Sequence, residues 1–176
     1  MADDGLIEAA RSLIDLCRSK KLSIVTAESC TGGLLAATLT EIPGSSDVFE
    51  RGFVTYSNAA KEAMLGVPAA TLAGFGAVSR EAAQAMARGA LAHAPADLAA
   101  AITGIAGPGG ATPGKPVGLV HLAAAARGGR LLLEEQQFGD IGRAQVRLAS
   151  VARALAMLRE LAVAAGSARL ADKNPQ

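Results

Sequence analysis

A hydroxyl nucleophile at a strand-to-helix turn is the first chemistry this sequence offers. The run Thr26-Ala27-Glu28-Ser29-Cys30-Thr31-Gly32-Gly33 follows an apolar strand, Leu22 to Val25, and precedes an apolar helical segment, Leu34 to Leu39. Backbone N–H groups at the start of a helix can hold an anion. The placement suits a hydrolase that attacks through a hydroxyl, or a protein that grips a phosphate, and the two are compatible. The ordinary alternative is that Ser29 or Thr31 only caps a helix. Cys30 is a rival nucleophile, but no neighbouring histidine or cation is evident to make it a thiolate.

The base must come from elsewhere. Of the two histidines, His121 lies inside the apolar stretch Val117 to Ala126 and His93 ends an Ala-rich helix. A Ser-His-Asp triad is therefore not favoured. Lysine can serve where burial lowers its pKa, and a tyrosine can share the proton. The only tyrosine, Tyr56, ends a second strand in Thr55-Tyr56-Ser57-Asn58-Ala59-Ala60-Lys61, and Lys61 falls in the first turns of the next helix. Ser29, Tyr56 and Lys61 can then meet at the carboxyl edge of a sheet, where open α/β sheets bind ligands. The alternatives are a solvated helix lysine and a core aromatic with its hydroxyl at the surface. Arg143 and Arg147, four apart on one helix face, can hold a phosphate or be surface charges.

Those residues need elements to carry them. Leu6, Ile7, Ala10, Leu13, Ile14 and Cys17 recur at helical spacing and predict a first helix ending near Lys20. After the Ser29 turn a second helix runs to about Glu41. Gly52 to Tyr56 reads as strand two, with Asn58 capping a short helix, Ala59 to Leu65. Pro68 opens another short helix, and Ser79 caps an Ala-rich one reaching about His93. Asp97 to Thr103 is a third strand. Val117 to Ala126 and Leu131 to Phe138 form a hairpin about Gly128-Gly129. The last helix runs from about Arg143 to Ala164, and residues 167–176 read as a polar, frayed tail. The expected fold is a single α/β domain over residues 1–166: three α/β/α layers, a mixed, mostly parallel sheet, and a C-terminal hairpin plus helix.

Composition closes off other classes. At net charge +1, with no basic run interleaved with aromatics, the chain is not expected to bind nucleic acid. No apolar run reaches the length of a membrane span, the acidic start Met1-Ala2-Asp3-Asp4 is unlike a secretory signal, and two cysteines make no disulfide framework. A cytoplasmic protein is the expectation. No His, Cys, Asp and Glu cluster has metal-ligand spacing, so no metal site and no cofactor are expected. Gly104-Ile105-Ala106-Gly107-Pro108-Gly109-Gly110 is a loop and not a dinucleotide fingerprint, because Pro108 interrupts it and no helix follows.

Several segments taken in order resemble the CinA C-terminal domain family, the nicotinamide-nucleotide amidohydrolases (PncC type). They are Thr26 to Gly33, Gly44-Ser45-Ser46, Phe49 to Asn58 with Lys61, Leu65-Gly66-Val67, Gly76 to Ser79, Ile102 to Pro108 and Lys115 to Gly118. The resemblance runs from about residue 6 to about residue 164. It implies deamidation of nicotinamide mononucleotide to nicotinate mononucleotide and ammonia, with a catalytic Ser, Tyr and Lys falling on Ser29, Tyr56 and Lys61. It also implies the stand-alone form, without the additional N-terminal domain some members carry, and it favours a homo-oligomer. One departure concerns Arg143: the family often has Gly-Asp directly followed by Arg, whereas here Ile141 and Gly142 intervene.

The mechanism expected on these residues is attack by Ser29 on the carboxamide carbon, with Lys61, Tyr56 or both taking its proton. Backbone N–H groups from Cys30, Thr31, Gly32 and Gly33 are placed at the oxyanion. Thr103, Gly104 and Gly107 are placed along the ribose or phosphate, and Arg143 or Arg147 on the phosphate. Two alternatives stand beside this: a non-catalytic, nucleotide-binding or competence-related module, and an amidase for another small amide.

Overall fold

The apolar stripe of the first segment folds as helix α1, Asp4–Lys20, burying Leu6, Ala10, Leu13, Ile14 and Cys17. The computed structural model describes residues 4–171, with side chains to residue 165. Strand β1, Ile24–Glu28, is buried at every position. It lies later than the apolar run Leu22 to Val25, because a strand covered on both faces tolerates Thr26 and Glu28 once their polar atoms are enclosed. The chain then forms α2 (Leu34–Thr40), a 3-10 turn (Ser45–Asp47), β2 (Phe49–Val54), α3 (Asn58–Leu65), α4 (Ala69–Phe75) and α5 (Arg80–Ala92). β3 (Leu98–Gly104), β4 (Leu119–Ala126), β5 (Leu131–Gln137) and α6 (Arg143–Ala171) complete it.

The sheet order is β2-β1-β3-β4-β5. β1 pairs in parallel with β2 and β3, and β4 is antiparallel to both β3 and β5. Four strands thus share one direction and β4 alone opposes them, the mixed, mostly parallel sheet expected. Residue parity sorts the core. Ile24, Ala100, Ile102, Leu122 and Ala124 face α1, α2 and α6. Val25, Ala27, Ala99, Ala101 and Ala123 face α3, α4 and α5. The alanines of β3 and β4 let the second layer lie close to the sheet, consistent with a core that has almost no aromatics.

Further boundaries differ from the sequence reading. β2 begins at Phe49 and ends at Val54, so Tyr56 lies beyond the strand. Ser57, not Asn58, caps α3: its Oγ accepts the Ala60 N–H at 3.0 Å. Helix α6 continues through Ala171, past the expected end at Ala164, and residues 172–176 of the expected tail lie outside the described residues. No helix among the described residues is long and apolar enough to cross a membrane.

One close approach fixes the helix that carries Lys61. A Cβ at Gly89 of α5 would stand 2.0 Å from the Leu65 carbonyl oxygen at the end of α3. That neighbour is backbone and cannot rotate away. Gly89→Ala is expected to destabilise the protein by about 1–3 kcal/mol, the range for overpacking, as read by urea denaturation.

Candidate active site

β1 delivers two consecutive side chains to opposite sides of the sheet. The Glu28 side chain turns toward α2. Its Oε2 accepts the N–H groups of Gly33 at 3.2 Å and Leu35 at 3.0 Å, and its Oε1 accepts that of Ala36 at 2.9 Å. Gly33 occupies the N-cap of α2 and has no side chain to offer, so Glu28 satisfies the helix start from the preceding strand. Ser29 turns the other way. Its N–H donates to the Ile102 carbonyl of β3 at 2.9 Å, which ties Ser29 to the sheet edge.

Lys61 reaches Ser29 from α3. The Thr55 N–H donates to the Glu28 carbonyl, extending the β2–β1 ladder and bringing the Thr55 carbonyl beside the lysine. Lys61 Nζ donates to Thr55 O at 2.8 Å and lies 3.0 Å from Ser29 Oγ. Lys61 is only 1% exposed, and no carboxylate is hydrogen-bonded to its amine. Burial therefore pushes its pKa below the ordinary lysine value. A neutral amine held by Thr55 O keeps a lone pair for the Ser29 hydroxyl proton, the arrangement of an activated serine.

Cys30 is disqualified on the same grounds that qualify Lys61. Burial raises its thiol to about 11, so it stays protonated near neutral pH. Tyr56 lies at the pocket mouth, 61% exposed. Its hydroxyl accepts a hydrogen bond from Arg143 Nη2 at 2.9 Å and is not hydrogen-bonded to Ser29 or Lys61. Arg143 Nη1 also donates to Gly107 O at 2.9 Å, so one guanidinium spans the Tyr56 side and the loop side. His121 is buried on β4 and stands outside this cavity.

Ser29, Cys30, Tyr56, Lys61, Thr103, Gly104, Gly107 and Arg143 line one cavity of about 300 Å³ at the carboxyl ends of the parallel strands. Thr31, Gly32, Gly33 and Arg147, expected at the substrate, do not line it. The Gly33 N–H is taken by Glu28 and the Gly32 N–H by the Ser29 carbonyl. The N–H of Thr31 has no acceptor among the described residues, and that of Cys30 has none beyond its own thiol. Arg147 Nη2 donates to Thr31 O at 2.8 Å, behind the nucleophile and away from the phosphate role. Thr103 lines the cavity, but its hydroxyl is spent on Ala77 O at 2.7 Å. A Cβ at Gly104 would meet Leu119 O at 2.8 Å, so that glycine serves strand packing. Gly107, at φ 82°, does supply a backbone turn that L side chains rarely adopt.

Sequence reasoning missed two contributors. Thr55 acts through a carbonyl, which no residue type announces. Glu28 left a trace: a helix opening on Gly32-Gly33 has no capping side chain of its own, and an acid stands just upstream.

Fold and site together define a three-layer α/β protein with a buried Ser–Lys pair at its switch point, between β1 and β3. The CinA C-terminal domain family matches residues 7–162, and the chain belongs to that family. A putative competence-damage inducible protein of Caldicellulosiruptor bescii is 46% identical over 148 residues, covering 84% of this chain and 36% of that protein. A CinA-like protein of Geobacter sulfurreducens is 49% identical over 156 residues, 89% of this chain and 37% of its own. The chain thus spans little more than a third of those two curated relatives. Among solved structures, the competence/damage inducible protein CihA from Agrobacterium tumefaciens superposes with a TM-score of 0.90 at 55% identity, covering 92% of this chain and 98% of that one. A CinA superfamily protein from Escherichia coli superposes at 0.85 and 34% identity, covering 92% and 93%.

Proposed function

We propose that this domain hydrolyses the carboxamide of nicotinamide mononucleotide to nicotinate mononucleotide and ammonia. The observation that carries the reading is the 3.0 Å contact between Ser29 Oγ and the buried Lys61 amine, whose pKa burial lowers. Ser29 Oγ attacks the carboxamide carbon and its proton passes to Lys61 Nζ. The N–H group of Cys30 receives the oxyanion, a donor of this kind being worth about 3–4 kcal/mol in other enzymes. The Lys61 ammonium then protonates the leaving nitrogen, ammonia departs, and a nicotinoyl ester remains on Ser29. Lys61, again neutral, takes a proton from the water that attacks the ester, and its ammonium returns a proton to Ser29 Oγ as nicotinate leaves. Tyr56 holds Arg143 in place and is not the base. Arg143 faces the 5′-phosphate.

Ammonia release from nicotinamide mononucleotide tests this, with nicotinamide riboside and other small carboxamides beside it. Turnover of the nucleotide above the riboside supports the reading. Turnover only of other amides, or nucleotide binding without turnover, overturns it. Arg143→Ala is expected to raise KM for the nucleotide about 10- to 100-fold, the scale of one charge-assisted contact, and to leave KM for the riboside nearly unchanged.

The pH profile follows from Lys61. The base must be neutral, so kcat/KM is expected to rise with pH and to level off above the depressed pKa of Lys61, below the ordinary 10.5. A profile still climbing beyond pH 10 would assign proton transfer to an unperturbed group.

A further inference from the structure

Two charged side chains hold the nucleophile's turn without entering the cavity. From the α2 side the Glu28 carboxylate takes three N–H groups, those of Gly33, Leu35 and Ala36. From α6, Arg147 Nη2 takes the Thr31 carbonyl. Glu28 is 1% exposed, and the half-buried Arg147 has its Nε enclosed with no partner among the described residues. Between the two, the chain turns tightly, with the Gly32 N–H on the Ser29 carbonyl and the Leu34 N–H on Thr31 O. The Thr31 N–H is left without an acceptor, and the Cys30 N–H meets only its own thiol.

This arrangement sorts the donors of the turn into two groups. Those of the helix start are filled by the protein's own anion, so the helix does not compete for a substrate anion. That of Cys30, in the turn before the helix and at the cavity beside Ser29, has no acceptor among the described residues beyond its own thiol. The peptide between Thr31 and Gly32 presents its oxygen to Arg147, which fixes the orientation of the turn. Losing the guanidinium would leave that oxygen only the Leu34 N–H and loosen the Cys30–Thr31 segment, and a donor displaced by an ångström loses most of its effect on a developing oxyanion.

We propose that Glu28 and Arg147 are positioning residues, a carboxylate–guanidinium clamp that aims the Cys30 N–H group at the oxyanion formed on attack by Ser29. The inference rests on the reading of Ser29 as nucleophile. It assigns Arg147 to the chemistry of the acyl step and removes it from phosphate recognition.

Glu28→Gln is the direct probe. A carboxamide has one acceptor oxygen, and wherever it is turned its NH2 faces one of the three backbone N–H groups. Arg147→Met breaks the clamp from the other side, and Arg147→Lys keeps a donor for Thr31 O. Each variant is compared with the unaltered protein for ammonia release from nicotinamide mononucleotide and from its riboside. Each is also reacted with a fluorophosphonate, followed by intact mass. In that reaction the Ser29 Oγ–P bond forms, the P–F bond breaks, fluoride leaves and the serine proton passes to Lys61. Melting by circular dichroism identifies which variants fold, and a variant that does not fold is replaced by the one on the other side of the clamp.

The expected result is a drop of about 100-fold in kcat and in the phosphonylation rate for Glu28→Gln and Arg147→Met, the cost of a misplaced oxyanion donor. KM is expected to stay within about threefold, so the loss falls on the transition state. The midpoint of the pH profile stays put, because the lysine is perturbed by burial and by Cys30 and not by either clamp residue. The nucleotide-to-riboside ratio also stays put, and Arg147→Lys restores most of the rate. A folded Glu28→Gln or Arg147→Met with kcat and phosphonylation within about threefold of the unaltered protein overturns the clamp. If the unaltered protein releases no ammonia but Ser29 is phosphonylated and the variants slow that step, the nicotinamide reading falls and the clamp stands. If Ser29 is neither phosphonylated nor active, both fall.

Discussion

Lys61→Met is expected to stop turnover and, at pH 7, to raise the melting temperature. Loss of a positioned general base costs about 100- to 10,000-fold in rate. The stability effect has the opposite sign because Lys61 is buried at 1% exposure with a pKa below its unfolded value. Between the folded and unfolded pKa values the unfolded chain binds more protons, so stability rises with pH across that window. Below the folded pKa the full penalty of burying the lysine is present. At pH 7 a methionine of similar length removes that penalty, and the lost partners of Thr55 O and Ser29 Oγ return only about 1 kcal/mol each. The melting curves of the two proteins are therefore expected to converge as pH rises toward 10.5, since the lysine is then neutral in both states. Equal melting temperatures at every pH would show that Lys61 carries no burial penalty and is not a poised base.

The parts of this site that the sequence made legible are those written in residue types at element ends. Ser29 after an apolar strand and Lys61 at the head of a capped helix converge because the order β2-β1-β3 brings the ends of those elements to one edge. Parity does the rest, sending Ser29 toward α3 and Glu28 toward α2. The illegible parts depend on backbone groups and on who occupies them. Gly32 and Gly33 read as a cradle for an anion, yet the anion that fills the helix start is Glu28. Arg143 and Arg147 share a helix face and read alike, but a turn of α6 separates one over the cavity from one behind the nucleophile. The sequence places β1 early because its apolar run stops at Val25, although Thr26 and Glu28 beyond it are buried. Tyr56 read as a strand residue because its neighbours are β-prone, but the helix cap at Ser57 turns the chain just after Val54 and leaves its ring at the mouth.

Ser29→Ala is expected to reduce ammonia release by about 10,000-fold or more, and adding Lys61→Met to it is expected to lower the rate hardly further. A nucleophile and its base act as one unit, so once the hydroxyl is gone the amine has no proton to take. Cys30, adjacent but protonated up to about 11, does not substitute as nucleophile. The Ala variant loses one contact to Lys61, which keeps its bond to Thr55 O, so folding is weakened by about 1 kcal/mol at most. Binding is expected to survive, because Arg143 and the Gly107 loop are untouched, and calorimetric titration with nicotinamide mononucleotide is expected to give an affinity near that of the unaltered protein. The double-variant comparison is the sharper measurement. If the two single losses multiply, Lys61 contributes to something other than activating Ser29, and the proton must leave the serine by another route. If they do not multiply, the 3.0 Å contact between Oγ and Nζ is the path of the proton.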